Sequence, residues 1–126
     1  MAGIINYKDL LVWQKSIDLA VVIYRVTNKI PDCEKWGLIS QMRRSVISVS
    51  ANIAEGYGRQ ATGEYKHFSS ISRGSLFELE TQIILSHRLE YLTLEDLKSI
   101  LSEIEQIGKM LTVLISKIRT SRATNT

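Results

Sequence analysis

Apolar residues along this chain recur at intervals of three and four in four successive blocks, which predicts four helices over about 9–29, 34–56, 62–91 and 93–119. In the fourth block Leu94, Leu97, Leu101, Ile104, Leu111, Ile115 and Ile118 fill one stripe, the pattern of a helix with a single buried face. Pro31 stops the first block. Thr62 and Thr93 precede the third and fourth as expected N-caps, each followed by acidic residues in the first turn. No alternating run or Asn-Gly turn suggests a strand. Short connections between long helices make neighbours antiparallel. The expected architecture is therefore all-α, a single domain over 1–126: an up-down-up-down four-helix bundle with a disordered tail at 120–126.

The first three helices carry more apolar surface than one stripe needs. At 100° per residue the first groups Leu10, Trp13, Ile17, Ala20, Val21 and Tyr24 as its inner face, and adds a second row of Val12, Leu19, Ile23 and Val26. The second turns Leu38, Met42, Ser45, Val49 and Ile53 inward, with Ile47, Ala51 and Ala54 pointing away. The third turns Phe68, Leu79 and Ile83 inward, while Phe77, Ile84 and Tyr91 repeat every seven residues on its far side. A monomer would leave these second rows in water, which soluble monomers seldom tolerate; each Å² buried recovers roughly 25 cal/mol. Val12, Leu19, Ile23, Ile47, Ala51, Ala54, Phe77, Ile84 and Tyr91 are thus the expected interface of a homo-oligomer. Arg43 and Arg44 flank the outward patch of the second helix, as its rim or as a basic surface beside it.

Composition keeps the chain in the ordinary globular class, with 44% hydrophobic and 23% charged residues among 126. No apolar run reaches the ~18 residues of a membrane helix, and "MAGIINYKDL" lacks the features of a signal peptide. The lone Cys33 has no internal disulfide partner and reads as a partly buried small residue near Pro31. A reducing, cytoplasmic setting is the simplest expectation. The net charge of +3 is unevenly placed: residues 35–73 carry +4 and residues 74–118 carry −3. That polarises the surface without reaching the balance of a dedicated nucleic-acid binder.

Enzyme signatures fail one by one. A carboxylate-bridged di-metal site needs two Glu-x-x-His motifs; "EYKH" at Glu64–His67 supplies one, and Ile84 stands where His87 would need its glutamate. The many serines show no Gly-x-Ser-x-Gly elbow. "GYGRQATG" is neither a Walker A loop nor a dinucleotide fingerprint, and its glycines read as a helix C-cap and corner with positive backbone angles. No catalytic residue, metal or cofactor is expected. Asn52 shares a helical face with Val49 and Ile53, so its amide needs partners. Asn52 and Glu55 with Ser72, Ser75 and Glu78 form an expected polar network setting the register of the second and third helices.

"DLLVWQKSIDL", "GLISQMRRSVISVSANIAEGYGR" and "EYKHFSSISRGSLFELETQI" resemble the 23S rRNA intervening-sequence proteins, also called four helix bundle proteins and once labelled a ribosomal protein family. The likeness covers about Tyr7 to Leu114. Its densest motifs are Gln41-x-Arg43-Arg44, Asn52-Ile53-Ala54-Glu55-Gly56 and Gly74-Ser75-x-x-Glu78-Leu79-Glu80. The resemblance implies a bacterial four-helix bundle assembled into a ring-like homopentamer. A related group, the accessory variability proteins of diversity-generating retroelements, works beside a reverse transcriptase and nucleic acid. By that analogy this chain is expected to bind RNA or DNA.

The residues offer that expectation a surface. Arg43, Arg44, Arg59, Lys66 and Arg73 cluster in sequence around the corner between the second and third helices, with Tyr57 and Tyr65 interleaved for stacking. A ring would multiply the patch through avidity. The expected function is a non-enzymatic, oligomeric RNA- or DNA-binding accessory protein, with a homo-oligomeric protein-binding scaffold as the alternative.

Overall fold

The computed structural model describes residues 6–59 and 61–124, with side chains as far as Ile118. Four helices account for most of it: α1 (Leu11–Thr27), α2 (Leu38–Arg59), α3 (Thr62–Arg88) and α4 (Leu94–Thr124). Single 3-10 turns at Tyr7–Asp9 and Asp32–Glu34 precede α1 and α2, and no strand occurs among the described residues. Asn6 starts the chain into the first turn through a capping box: its Oδ1 accepts from the Lys8 amide and its own amide donates to Asp9. Thr93 Oγ1 caps α4 by accepting from the Asp96 amide at 3.1 Å. Thr62 is already helical, behind an Ala61 N-cap without a side-chain bond. α4 continues to Thr124, so the stretch expected as tail is helical to that point; residues 125 and 126 lie outside the described residues.

Helix α2 packs against α1 and α3, α4 packs against the same two, and the backbones of α1 and α3 stay apart on opposite sides of a shared core. The packing is that of a helical bundle. Cross-helix partners step in opposite directions along α2 and α3: Ser45 bonds Glu78, Ser48 meets Ser75, and Ser72 reaches Val49. The same holds along α1 and α4, where Lys15 bonds Gln106 and Lys29 bonds Asp96. Leu19, Ile23, Met42, Ile53, Leu79, Ile83, Ile107 and Leu111 are fully enclosed at the centre.

Three expectations are corrected here. On α1 the two apolar rows exchange roles: Val12, Leu19, Ile23 and Val26 are core, while Ile17, Val21 and Tyr24 face outward. Both rows are apolar enough to be buried, so only the positions of α2 and α4 decide between them. Second, α2 does not break at Gly56-Tyr57-Gly58; it runs to Arg59, and no glycine has a positive φ among the described residues. Gly56 is needed for proximity instead. A Cβ there would lie 2.9 Å from Phe68 Cβ and 3.2 Å from the Tyr65 carbonyl. Third, α3 ends at Arg88, which removes Tyr91 from its far side. Tyr91 is half-buried and its hydroxyl donates to Glu34 at 3.2 Å, tying the α3–α4 connection to the 3-10 turn that precedes α2. Partial loss of solvent around the phenol, then the hydrogen bond and charge of Glu34, raise the Tyr91 pKa. Ile47, Ala51, Phe77 and Ile84 lie at the surface, Ala54 is half-buried, and Cys33 is exposed.

Candidate functional site

The seam between α2 and α3 is built from small polar residues, which lets the two backbones come close and makes their hydroxyls reach across. Ser72 Oγ is buried and donates to the Val49 carbonyl at 2.7 Å, a bond from one helix to the backbone of the other. Ser45 donates to Glu78 Oε1 at 2.8 Å. Ser48 and Ser75 share a hydroxyl–hydroxyl bond of 2.8 Å, and Asn52 Nδ2 donates to the Ser48 carbonyl and hydroxyl at 2.8 and 2.9 Å. A buried polar group without a partner costs about 1–3 kcal/mol, so a slip of register along this seam is penalised at each of these positions. Asn52 reaches Ser75 through Ser48, whereas Glu78 bonds Ser45 and Ser72 bonds the Val49 carbonyl as separate contacts along the seam; Ser45 and Ser48 read in the sequence only as small spacers. Glu55 does not join them. It is exposed and pairs with Arg59 at 3.5 Å within its own helix. Three residues advance a helix by about 300°, so Glu55 sits about 60° around the axis from Asn52, on its solvent side.

The basic residues of the corner disperse. Arg43 turns away from α3 and grips α1: Nε donates to Thr27 Oγ1 at 2.9 Å, Nη2 to the Tyr24 carbonyl and Asn28 Oδ1, and the guanidinium stacks 4.5 Å from the Tyr24 ring centre. Arg59 lies between Glu55 and Glu64 and over the Phe68 ring. Arg73 donates to Thr112 on α4. Lys66 is half-buried and Arg44 exposed; neither has an ion pair or hydrogen bond among the described residues. Tyr57 and Tyr65 form an edge-to-face pair with centres 5.9 Å apart, so they pack on each other rather than stand ready as platforms. Burial, then the neighbouring Tyr57, raise the Tyr65 pKa.

The seam opens outward into a groove of about 690 Å³ between Gln41, Arg44 and Ile47 of α2 and Ser75, Glu78 and Gln82 of α3. Gln82 escaped the sequence reading because no apolar row or charge pattern marks it. Two apolar grooves lie elsewhere: one of about 450 Å³ on the outer face of α1, lined by Ile17, Ala20, Val21 and Tyr24, and one of about 500 Å³ between α3 and α4, lined by Phe77, Leu101, Ile104 and Gly108. No group of three or more metal-ligating side chains occurs among the described residues, and none of their helices is long and apolar enough to cross a membrane.

The fold and seam define an all-α, four-helix protein whose distinctive chemistry lies in a serine-rich helix contact and a mixed-charge groove beside it. The chain belongs to the 23S rRNA-intervening sequence protein family, which it matches over residues 8–113. It is similar in structure to a protein of unknown function from the S23 ribosomal protein family of Bacteroides thetaiotaomicron. The TM-score is 0.77 at 29% identity, covering 83% of this chain and 98% of that one. No curated protein matches the sequence.

Proposed function

We propose that this protein is a non-enzymatic scaffold, an up-down-up-down bundle whose copies associate into a ring-like homo-oligomer in the cytoplasm. The observation that carries the reading is the outer face of α1. Val21 is 45% exposed there, between Ile17 and Tyr24, in an apolar groove that no other described residue of the chain covers. Phe77, 51% exposed beside the groove between α3 and α4, supplies a second apolar patch on a helix whose backbone does not neighbour that of α1. Two different patches on different sides suit a head-to-tail contact, and head-to-tail contacts close into rings when the rotation allows. A pentamer is the number the family resemblance implies. Sedimentation velocity tests it: the wild-type chain is expected at several times its single-chain mass, and Val21→Asp and Phe77→Asp as folded monomers. A monomeric wild-type protein at micromolar concentration removes the reading.

Nucleic-acid binding is the second reading, favoured by the +4 charge of residues 35–73 and by the unengaged Arg44 and Lys66. Its kinship argument comes from the retroelement accessory proteins. Against it, Arg43, Arg59 and Arg73 are held within their own bundle, which leaves two of the five cationic candidates uncommitted. Fluorescence anisotropy of structured RNA, single strands and duplex DNA decides the matter. Affinity that falls steeply with salt and is lost in Arg44→Glu, Lys66→Glu restores nucleic acid as the ligand; no binding at low salt leaves the scaffold.

A further inference from the structure

We propose that the groove on the outer face of α1 is filled by α3 of a second copy, which lies parallel to α1 with Phe77 and Ile84 over Ile17 and Tyr24. This names the partner surface of the scaffold reading and rests on it. The two rows have the same spacing. On α1, Ile17 and Tyr24 are seven residues apart with Val21 between them, and all three are exposed. On α3, Phe77 and Ile84 are seven apart with Thr81 between them, and these three are exposed as well. Apolar residues at a heptad's spacing form a seam for a second helix, each side chain entering a gap between side chains of the facing one. Ala20 is the small flank of the α1 row. Leu85, exposed on the flank of α3 that faces it in this arrangement, supplies the missing bulk.

Charge fixes the partner and the direction. Asp18 and Arg25 lie on the other flank of the α1 row, seven residues apart, acid first. Arg73 and Glu80 lie on one flank of the α3 row, also seven apart, base first. At about 100° per residue the two flanks meet when the helices run parallel, which sets Arg73 against Asp18 and Glu80 against Arg25. Run antiparallel, the flanks fall on opposite sides of the contact and neither pair forms. None of the four has an ion pair with another described residue of its own chain. Opposite charges beside an apolar seam select partner and register more than they add affinity. Antiparallel pairing of α1 with α1 across a two-fold axis would also match Asp18 with Arg25, but it leaves the Phe77 row in water. Pairing α1 with α3 covers both rows in one contact, and the two helices lie on opposite sides of the shared core, so each copy can serve two neighbours.

The test is sedimentation velocity on the full chain over a dilution series, with charge reversals made singly and in pairs and circular dichroism checking the fold of each. Arg25→Glu and Glu80→Arg alone are each expected to weaken self-association about tenfold, by setting like charges against each other. Together they are expected to restore it to within about threefold of wild type. Asp18→Arg with Arg73→Asp repeats the cycle at the other end of the row. Arg25→Glu combined with Asp18→Arg is expected to weaken association further, because both positions then meet a like charge on α3. Recovery in that last pair assigns the contact to α1 on α1 and overturns the proposal. Single reversals without effect, or matched pairs that fail to recover, overturn it too. Each of these outcomes keeps an oligomeric wild type and leaves the scaffold standing, whereas a monomeric wild type removes the scaffold reading and this contact with it.

Discussion

Gly56 of α2 lies against Phe68 of α3 so closely that the β-carbon any other residue would bring falls 2.9 Å from Phe68 Cβ. Tyr65 closes the same space with its carbonyl and ring. An α-helical glycine ordinarily costs about 1 kcal/mol relative to alanine, so the close approach must be worth more than that cost. Gly56→Ala is expected to lower stability by about 1–3 kcal/mol, because backbone rather than a flexible side-chain end must move. Gly74 is the internal control. It lies mid-helix on α3, is exposed, and has open space where a Cβ would go. Gly74→Ala should raise stability by about 0.5–1 kcal/mol. Urea midpoints for the two variants should move in opposite directions, and equal shifts would show that the contact is not tight.

Arg43 ties α2 to α1 through three hydrogen bonds and a ring contact. Arg43→Met keeps part of the stem and removes the bonds. About 1–3 kcal/mol of stability should be lost, with nucleic-acid affinity, if any, unchanged. Thermal melting beside an anisotropy titration separates the roles; a variant that melts normally but loses RNA binding would reverse the assignment.

The seam residues should divide by burial. Ser72→Ala deletes the buried bond to the Val49 carbonyl and is expected to cost about 1–2 kcal/mol. Glu55→Ala loses only an exposed ion pair and should stay within about 0.5 kcal/mol of wild type. Asn52→Leu removes two donors to Ser48 and is expected to destabilise α2 against α3. Chemical denaturation of the three variants provides the comparison, and a costly Glu55→Ala would put that carboxylate back into the network.

Acid sensitivity should include Asp96. Burial alone would raise its pKa, but hydrogen bonds from Lys29 and Thr93 and the positive charge of Lys29 outweigh it, and the net shift is downward. A carboxylate held lower in the folded state stabilises the protein above its unfolded pKa of about 4, and that contribution is lost as pH falls through the folded value. Asp96→Asn should therefore be less stable than wild type near neutral pH, by about 0.5–1 kcal/mol for a partly exposed pair. The gap should close in stronger acid. A gap that stays constant from neutral pH down to about pH 2 would show that the charge of Asp96 is not what matters.

Much of the bundle was legible before any tertiary contact was known. Four blocks of period-3.6 apolar residues, the Thr93 cap and the lack of strand signals depend only on neighbours along the chain. The α2 core residues Met42, Val49 and Ile53 also fell where their period placed them. Periodicity yields an angle around a helix axis, however, and α1 offers two apolar angles of nearly equal weight. Whether Ile17 or Leu19 enters the core depends on where α2 and α4 lie, which no local pattern encodes. The same limit applies to Arg43, whose partners come from α1, and to Gly56, whose need for no side chain arises from Phe68 twelve residues away on another helix. The sequence by itself determined the helices and their helix-forming, amphipathic character, because those follow from local sterics and spacing. Only the tertiary structure decided which apolar face is core, which arginines are committed and where Gln82 lies, because each is a property of surfaces meeting across the bundle.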